Sequence, residues 1–256
     1  MLSTRIIPCL LLKDGGLVKT VKFKNPTYVG DPINAIKIFN EKMADELIFI
    51  DINATVQQQK PNFEIIRQIA SECFMPVCYG GGIRSIQDME TIFKLGIEKI
   101  SISSYAVENP SFITEAAKHF GTQSIVVCID VKRDLWDKYK VVTHTGNKTT
   151  ALDPVEHAVH MTDLGAGEIL INTVDRDGVM EGYDISLIRA VADKISVPVI
   201  ACGGAGSLQH IADVLKDGRA SSAAVGSLFV FYGKHRAVLI NYPGPKEVGK
   251  LLPGSE

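Results

Sequence analysis

An internal repeat restricts the fold of this chain more than any other feature of its sequence. RIIPCLLLKDGG (5–16) has a near-copy in SIVVCIDVKRD (124–134), and MPVCYGGGIRSI (75–86) has one in VPVIACGGAGSL (197–208), both at an offset of about 120 residues. Each copy is an apolar run that breaks at glycine or at charge. Eight such runs punctuate the chain, at 5–12, 46–52, 76–80, 99–103, 124–131, 168–174, 197–202 and 222–227. Most are nearly continuously apolar, as parallel strands covered on both faces should be.

Helical stripes fill the gaps between them. Asp31-Pro32 opens one with Ile36, Phe39 and Met43 on a face, and Asn109-Pro110 opens another with Ile113, Ala116, Ala117 and Phe120. Asp153-Pro154 repeats the cap-then-proline start. Further stripes are Ile86, Met89 and Phe93 before Gly96; Ile185, Ile188, Ala192 and Ile195; and Leu208, Ile211 and Leu215 before Gly218. Strands alternating with helices, without a composition break, predict the α/β class. The pattern describes a single-domain (β/α)8 TIM barrel made of two similar half-barrels, about 1–122 and 123–240, with a tail at 241–256. A doubly wound sheet is the alternative.

Composition narrows the rest. With 256 residues, 46% apolar and 22% charged, the chain can bury a large core. A net charge of −2 gives no sign of a nucleic-acid or membrane-surface partner. No apolar run reaches the ~18–20 residues that span a bilayer, and the start lacks a signal-peptide pattern, so a cytoplasmic location is expected. Cys9, Cys73, Cys78, Cys128 and Cys202 are odd in number and lack Cys-x-x-Cys spacing. They read as reduced core thiols, and neither a metal nor an organic cofactor is expected.

Chemistry in such a barrel gathers at the C-terminal ends of the strands. Gly-rich turns follow the third and seventh strands, Gly80-Gly81-Gly82 and Gly203-Gly204-Ala205-Gly206. Bare backbone N–H groups there can bind phosphate. Ser101, Ser103 and Ser104 lie about the end of the fourth strand and Ser227 at that of the eighth, with Ser104 and Ser227 near equivalent positions. Two such sites predict a ligand with a phosphate at each end. Asp130 ends the fifth strand, where a carboxylate points into the mouth and can shuttle protons. Asp177, after the sixth strand, is placed to join it, and Asp51 ends the second. The copy of Asp130 in the first half is Leu11. Residues 13–30 read as a long loop with Lys19, Lys22 and Lys24, a lid whose Lys19 reaches a phosphate or closes over substrate. Arg5, Glu46, Lys99 and Glu168 begin the first, second, fourth and sixth strands, predicting a ring of two positive and two negative charges at the barrel bottom. Charges at that face read as stability elements.

Over essentially its whole length the sequence resembles the cyclase subunit of imidazole glycerol phosphate synthase, the glutamine amidotransferase of histidine biosynthesis. The matching stretches are RIIPCL, KDGG with Lys19, DELIFIDI, GGGI, AVENPS, IDVKR, GAGEIL, DRDG, GYD and GGAG. The resemblance implies a heterodimer in which a glutaminase subunit docks on the barrel bottom. Its ammonia would cross the barrel to a phosphorylated small molecule held at the mouth. It also implies an ammonia gate of Arg5, Glu46, Lys99 and Glu168, phosphate contacts from Gly82, Ser104, Gly178, Gly204 and Ser227, and a mobile lid with Lys19.

Two positions depart from that family. Its cyclase uses aspartates as general acid and base at the positions of Leu11 and Asp130, and losing one such group forfeits ~10²–10⁴-fold in rate. Ser103 stands where the family has asparagine. A retained gate with a missing acid resembles the branch found in acetamidino-sugar modification. There the barrel and its glutaminase supply ammonia to a separate sugar amidotransferase acting on a surface-polysaccharide precursor, as in lipopolysaccharide biosynthesis. LVKTVKFKNPTYVGDP (17–32) resembles that branch. A working cyclase and a non-catalytic ligand-binding scaffold for the glutaminase are the alternatives.

Overall fold

The computed structural model describes residues 4–251, so residues 252–256 of the expected tail lie outside the described residues. In chain order the main strands are β1 (Arg5–Lys13), β2 (Gly16–Val21), β3 (Lys24–Gly30), β4 (Leu47–Asp51), β5 (Val77–Gly80), β6 (Lys99–Ile102), β7 (Ile125–Arg133), β8 (Tyr139–Thr143), β9 (Lys148–Thr149), β10 (Glu168–Thr173), β11 (Val199–Cys202) and β12 (Ser222–Val225). Eight of them, β1, β4, β5, β6, β7, β10, β11 and β12, pair in parallel, and the β7–β10 ladder closes the circle. The expected TIM barrel is the observed one.

The helices are α1 (Pro32–Glu41), α2 (Phe63–Glu72), α3 (Ile86–Lys94), α4 (Ser104–Glu108), α5 (Ser111–Phe120), α6 (Pro154–Asp163), α7 (Ile185–Ala192), α8 (Leu208–Lys216) and α9 (Pro245–Leu251). Three pairs start alike. Asp31 and Asp153 cap α1 and α6, Asn62 and Asp184 cap α2 and α7, and Ser85 and Ser207 cap α3 and α8, each side chain accepting a first-turn N–H. Such a cap stabilises a helix by ~1 kcal/mol. Each pair also occupies equivalent places in the repeat.

Because successive strand residues face opposite ways, the barrel has two cores. Ile6 and Leu10 of β1 pack outward under the helices. Ile7 and Cys9 point inward, into an axial cluster with Ile48, Cys78, Val126, Leu170, Ile200 and Ala224, with Cys128 and Cys202 packed against it. Four of the five free cysteines therefore line the axis, and burial pushes the Cys78 and Cys128 thiols well up, so they stay neutral. Cys73 follows α2 instead.

Four readings need correction. Ile195 lies beyond α7, which ends at Ala192. Asn109 does not cap α5; Pro110 stands at the N-cap, and no side chain accepts a first-turn N–H. Met43 does not continue the α1 stripe; the helix ends at Glu41, and Met43 is exposed in a left-handed turn with φ 55°. Residues 13–30 are not an irregular loop. β1 runs on past the barrel rim and folds back through Asp14-Gly15 into β2, which pairs with β3. The second half does the same, with β7 continuing into β8 and β9. Both hairpins begin pairing at equivalent residues, Leu11 against Val18 and Asp130 against Val142. Among the described residues, no helix is long and apolar enough to cross a membrane.

Candidate functional site

The barrel bottom carries one connected set of charges. Arg5 binds Glu46 through Nη1 and lies 3.2 Å from Glu168 Oε1 through Nη2. Lys99 Nζ reaches the same two acids, at 3.1 Å from Glu46 Oε2 and 2.9 Å from Glu168 Oε1. The four charges thus close into a ring, with Glu46 almost fully buried. Burial opposes the Arg5 charge, yet Glu46 and Glu168 outweigh it and hold the guanidinium above its usual value. In the repeat Glu46 corresponds to Glu168, whereas both cations come from the first half. Removing one partner would strand a buried charge, at a cost of ~3–5 kcal/mol.

At the other end of the axis lies a pocket built from the strand ends. Asp130 is its acid. Ser103 Oγ donates to Asp130 Oδ2 at 3.1 Å, and Asn172 Nδ2 donates to Oδ1 at 3.0 Å. Burial pushes Asp130 up to about 6, against the opposing pull of these donors. The carboxylate can therefore exchange its proton near neutral pH. Leu11 lines the same pocket without a titratable group. Asn172 escaped the sequence reading; its place in register beside Asp130 follows only from the β7–β10 ladder that closes the barrel.

Lys19 is buried under the first hairpin, with Nζ donating to the Cys9 carbonyl at 2.5 Å. It fits because Gly226 lacks a side chain: a Cβ there would lie 2.7 Å from Lys19 Nζ. Ser103 and Gly226 share one conformation, φ/ψ −115/−90° and −101/−89°, and each precedes a short helix beginning at Ser104 or Ser227. The halves thus trade sizes. A long lysine meets glycine on one side; on the other, the equivalent hairpin residue is the buried Thr143 and the equivalent strand-end residue is Ser103.

The Gly-rich turns face each other across the mouth. Gly82 and Gly204 have φ +74° and +114°, and a Cβ would meet the Gln59 carbonyl at 2.6 Å or the Gly182 carbonyl at 2.1 Å. Only glycine lets the chain pass so close. Gly82, Ser103, Ser104, Gly178, Gly204 and Ser227 all line the pocket. Asp177 lines it too, but its carboxylate accepts from Thr20 Oγ1 at 2.7 Å and from the Phe23 N–H at 3.3 Å. It latches the first hairpin. Burial raises Asp177 above the usual carboxylate value, with Thr20 and Lys19 pulling the other way. Asp51 accepts from the Asn53 and Ala54 N–H groups, which shape its own turn.

The second hairpin crosses from the opposite side. The His144 N–H donates to Ser104 Oγ at 2.9 Å, and Thr145 Oγ1 donates to the Ile52 carbonyl at 3.1 Å. A Cβ on Gly146 would lie 3.4 Å from the Phe23 ring, so the two hairpin tips meet over the pocket. Among the described residues, no group of three or more His, Cys, Asp or Glu converges to hold a metal ion.

Comparison with known proteins adds a lineage. The profile of the histidine biosynthesis protein family matches residues 5–236. A Pseudomonas aeruginosa protein provisionally named imidazole glycerol phosphate synthase subunit hisF2 is 52% identical over 254 residues, 99% of this chain and 100% of the relative. A Vibrio vulnificus protein provisionally named subunit hisF3 is 50% identical over 253 residues, covering 98% of this chain and 97% of its own. A Leptospira interrogans protein, provisionally named subunit HisF, is 47% identical over 98% of this chain and 100% of its own.

Proposed function

Since this chain belongs to the histidine biosynthesis protein family, in the lineage of the imidazole glycerol phosphate synthase cyclase subunit, we propose that it is the barrel subunit of a glutamine-dependent amidotransferase. A glutaminase docks beneath the Arg5–Glu46–Lys99–Glu168 ring, and its ammonia crosses the apolar axis to the mouth. The observation that carries this reading is the pairing of a closed ion ring and a tuned acid, Asp130, at opposite ends of one axis lined by uncharged side chains. Gly82 and Ser104 on one side, and Gly178, Gly204 and Ser227 on the other, hold a ligand with two phosphates. Lys19 and Asp177 close the first hairpin over it, and Asp130 moves the proton.

Leu11 sets the branch. A leucine can neither deliver nor remove a proton, so ring closure loses one of its two groups while ammonia passage keeps all of its parts. We assign the chain to ammonia supply for a separate amidotransferase that makes an acetamidino group on a surface-polysaccharide sugar. The numerals 2 and 3 in two relatives' names fit a set of paralogues. A second reading, a working histidine-pathway cyclase, is favoured by the intact Asp130 site.

Ammonia-dependent turnover of the histidine-pathway ribulosyl intermediate separates the two. We expect the native chain to be slow and Leu11→Asp to raise the rate by about tenfold or more. Normal turnover by the native chain would return it to histidine biosynthesis, whereas a slow native chain with no gain in Leu11→Asp would mean that the pocket has diverged further.

A further inference from the structure

The two hairpins over the mouth differ at their outer turns. The first reverses in two residues, Asp14-Gly15, whereas the second spans 134–138 and carries Leu135 and Trp136 at its tip. Leu135 is fully exposed and Trp136, the only tryptophan of the chain, is 83% exposed. Single exposed apolar side chains are ordinary; a leucine and a tryptophan side by side, both bare, mark a surface that something covers. Nor is the tip slack. Asp134 Oδ1 accepts from the Trp136 and Lys138 N–H groups at 2.8 and 3.0 Å, and the Asp134 N–H donates to the Lys138 carbonyl at 2.9 Å. Below it the Arg133 guanidinium lies 4.5 Å from the Tyr139 ring centre and donates to both carboxylate oxygens of Asp137. Tyr139 OH in turn donates to Asp184, the cap of α7. A tip braced in this way leaves little ordering entropy to be lost on binding.

The flank of the hairpin is basic. Lys132 and Lys140 stand directly opposite each other in the β7–β8 ladder, where like charges destabilise a strand pair. Lys138 lies two residues before Lys140, and among the described residues none of the three forms an ion pair. Residue 132 shares the strand face of Asp130, so this charge borders the mouth. A surface that fits here offers an apolar slot with an acidic rim.

Position selects the occupant. Two other exposed apolar residues, Met43 and Phe74, precede β4 and β5 at the barrel bottom, the end that the amidotransferase reading gives to the glutaminase. Leu135 and Trp136 stand at the opposite end, where ammonia leaves. Ammonia released into neutral water takes up a proton and loses the lone pair with which it attacks, so its consumer must seal against the mouth.

We propose that Leu135 and Trp136 anchor the ammonia-consuming sugar amidotransferase over the mouth, with Lys132, Lys138 and Lys140 meeting acidic side chains around its slot. This rests on the amidotransferase reading above.

The test uses the chain labelled with 5-fluorotryptophan, whose single fluorine resonance is that of Trp136. It is titrated in turn with the purified sugar amidotransferase, with the glutaminase and with more of itself. We expect a saturable shift with the amidotransferase alone, and in Leu135→Ser a half-saturation raised by about 10- to 100-fold. Trp136→Ser, followed by sedimentation, should weaken amidotransferase binding to a similar degree and still bind the glutaminase. A resonance left unmoved while sedimentation shows the amidotransferase bound would overturn the proposal and leave the amidotransferase reading standing. A shift produced by the glutaminase or by the chain's own concentration would overturn it too, by naming another occupant. An amidotransferase that neither binds the native chain nor takes nitrogen from its glutaminase would overturn that reading, and the proposal with it.

Discussion

Asp130 illustrates a cost that a single residue can impose on a fold. Its folded value near 6 lies above the roughly 3.9 of an unfolded aspartate, so the folded chain holds the proton more tightly. The resulting stabilisation is fully present below pH ~4 and is lost as pH rises through ~6. At neutral pH the ionised acid therefore weakens the fold by ~2–3 kcal/mol, softened by whatever solvent reaches the pocket. Asp130→Asn keeps an oxygen that accepts from Asn172 Nδ2, and its amide nitrogen can donate to Ser103 Oγ. It should raise the denaturation midpoint at pH 7.5 and leave it unchanged at pH 4. An equal effect at both pH values would show that ionisation is not its cause. The carboxylate at a barrel-strand end was legible from sequence, as was its loss at Leu11. Its partner Asn172 was not, because β7 and β10 are neighbours only once the barrel closes.

At the scale of elements, the two hairpins explain most of what the sequence concealed. Asp14-Gly15, with φ +51° and +81°, carries the residue pair that two-residue hairpin turns prefer, so the β1–β2 hairpin had a signal in KDGG. The β2–β3 turn had none. Lys22 and Phe23 adopt φ +53° and +62° without glycine or asparagine, and the turn is held from outside by Asp177 through Lys22, Phe23 and Thr20. Tertiary contact supplies what local chemistry lacks. α1 and α6 were legible from their Asp-Pro starts, and α3 and α8 from apolar stripes that end before Gly96 and Gly218, because these signals are local. Gly226→Ala tests the contact that Lys19 makes. Ser103 holds a side chain at nearly the same φ/ψ, so alanine can stand at Gly226, but the new methyl would displace Lys19 from the Cys9 carbonyl. Amide hydrogen exchange in β2 and β3 should quicken about 5-fold or more while the barrel strands keep their protection. Unchanged exchange in the hairpin would mean that Lys19 does not hold it down.

At the scale of the molecule, the repeat decided the architecture because strand, cap and glycine turn recur in the same order in both halves. We propose that the chain is a duplicated half-barrel, and its function lies in where the copies differ. Asp130 faces Leu11, Lys19 with Gly226 faces Thr143 with Ser103, and both cations of the bottom ring come from one half. A symmetric ancestor would carry two acids and two hairpins of one design. This chain keeps one acid, two unlike hairpins and an axis closed by charge at one end and by the hairpin tips at the other. Passage of ammonia along that axis is the claim on which the functional account stands. It is tested most directly by isotope competition in the complex reconstituted with its glutaminase and supplied with the sugar amidotransferase and its acceptor, using amide-15N glutamine in the presence of excess unlabelled ammonium. The account predicts that the aminated product carries 15N whatever the bulk ammonium concentration; product nitrogen that follows the unlabelled bulk pool would contradict it.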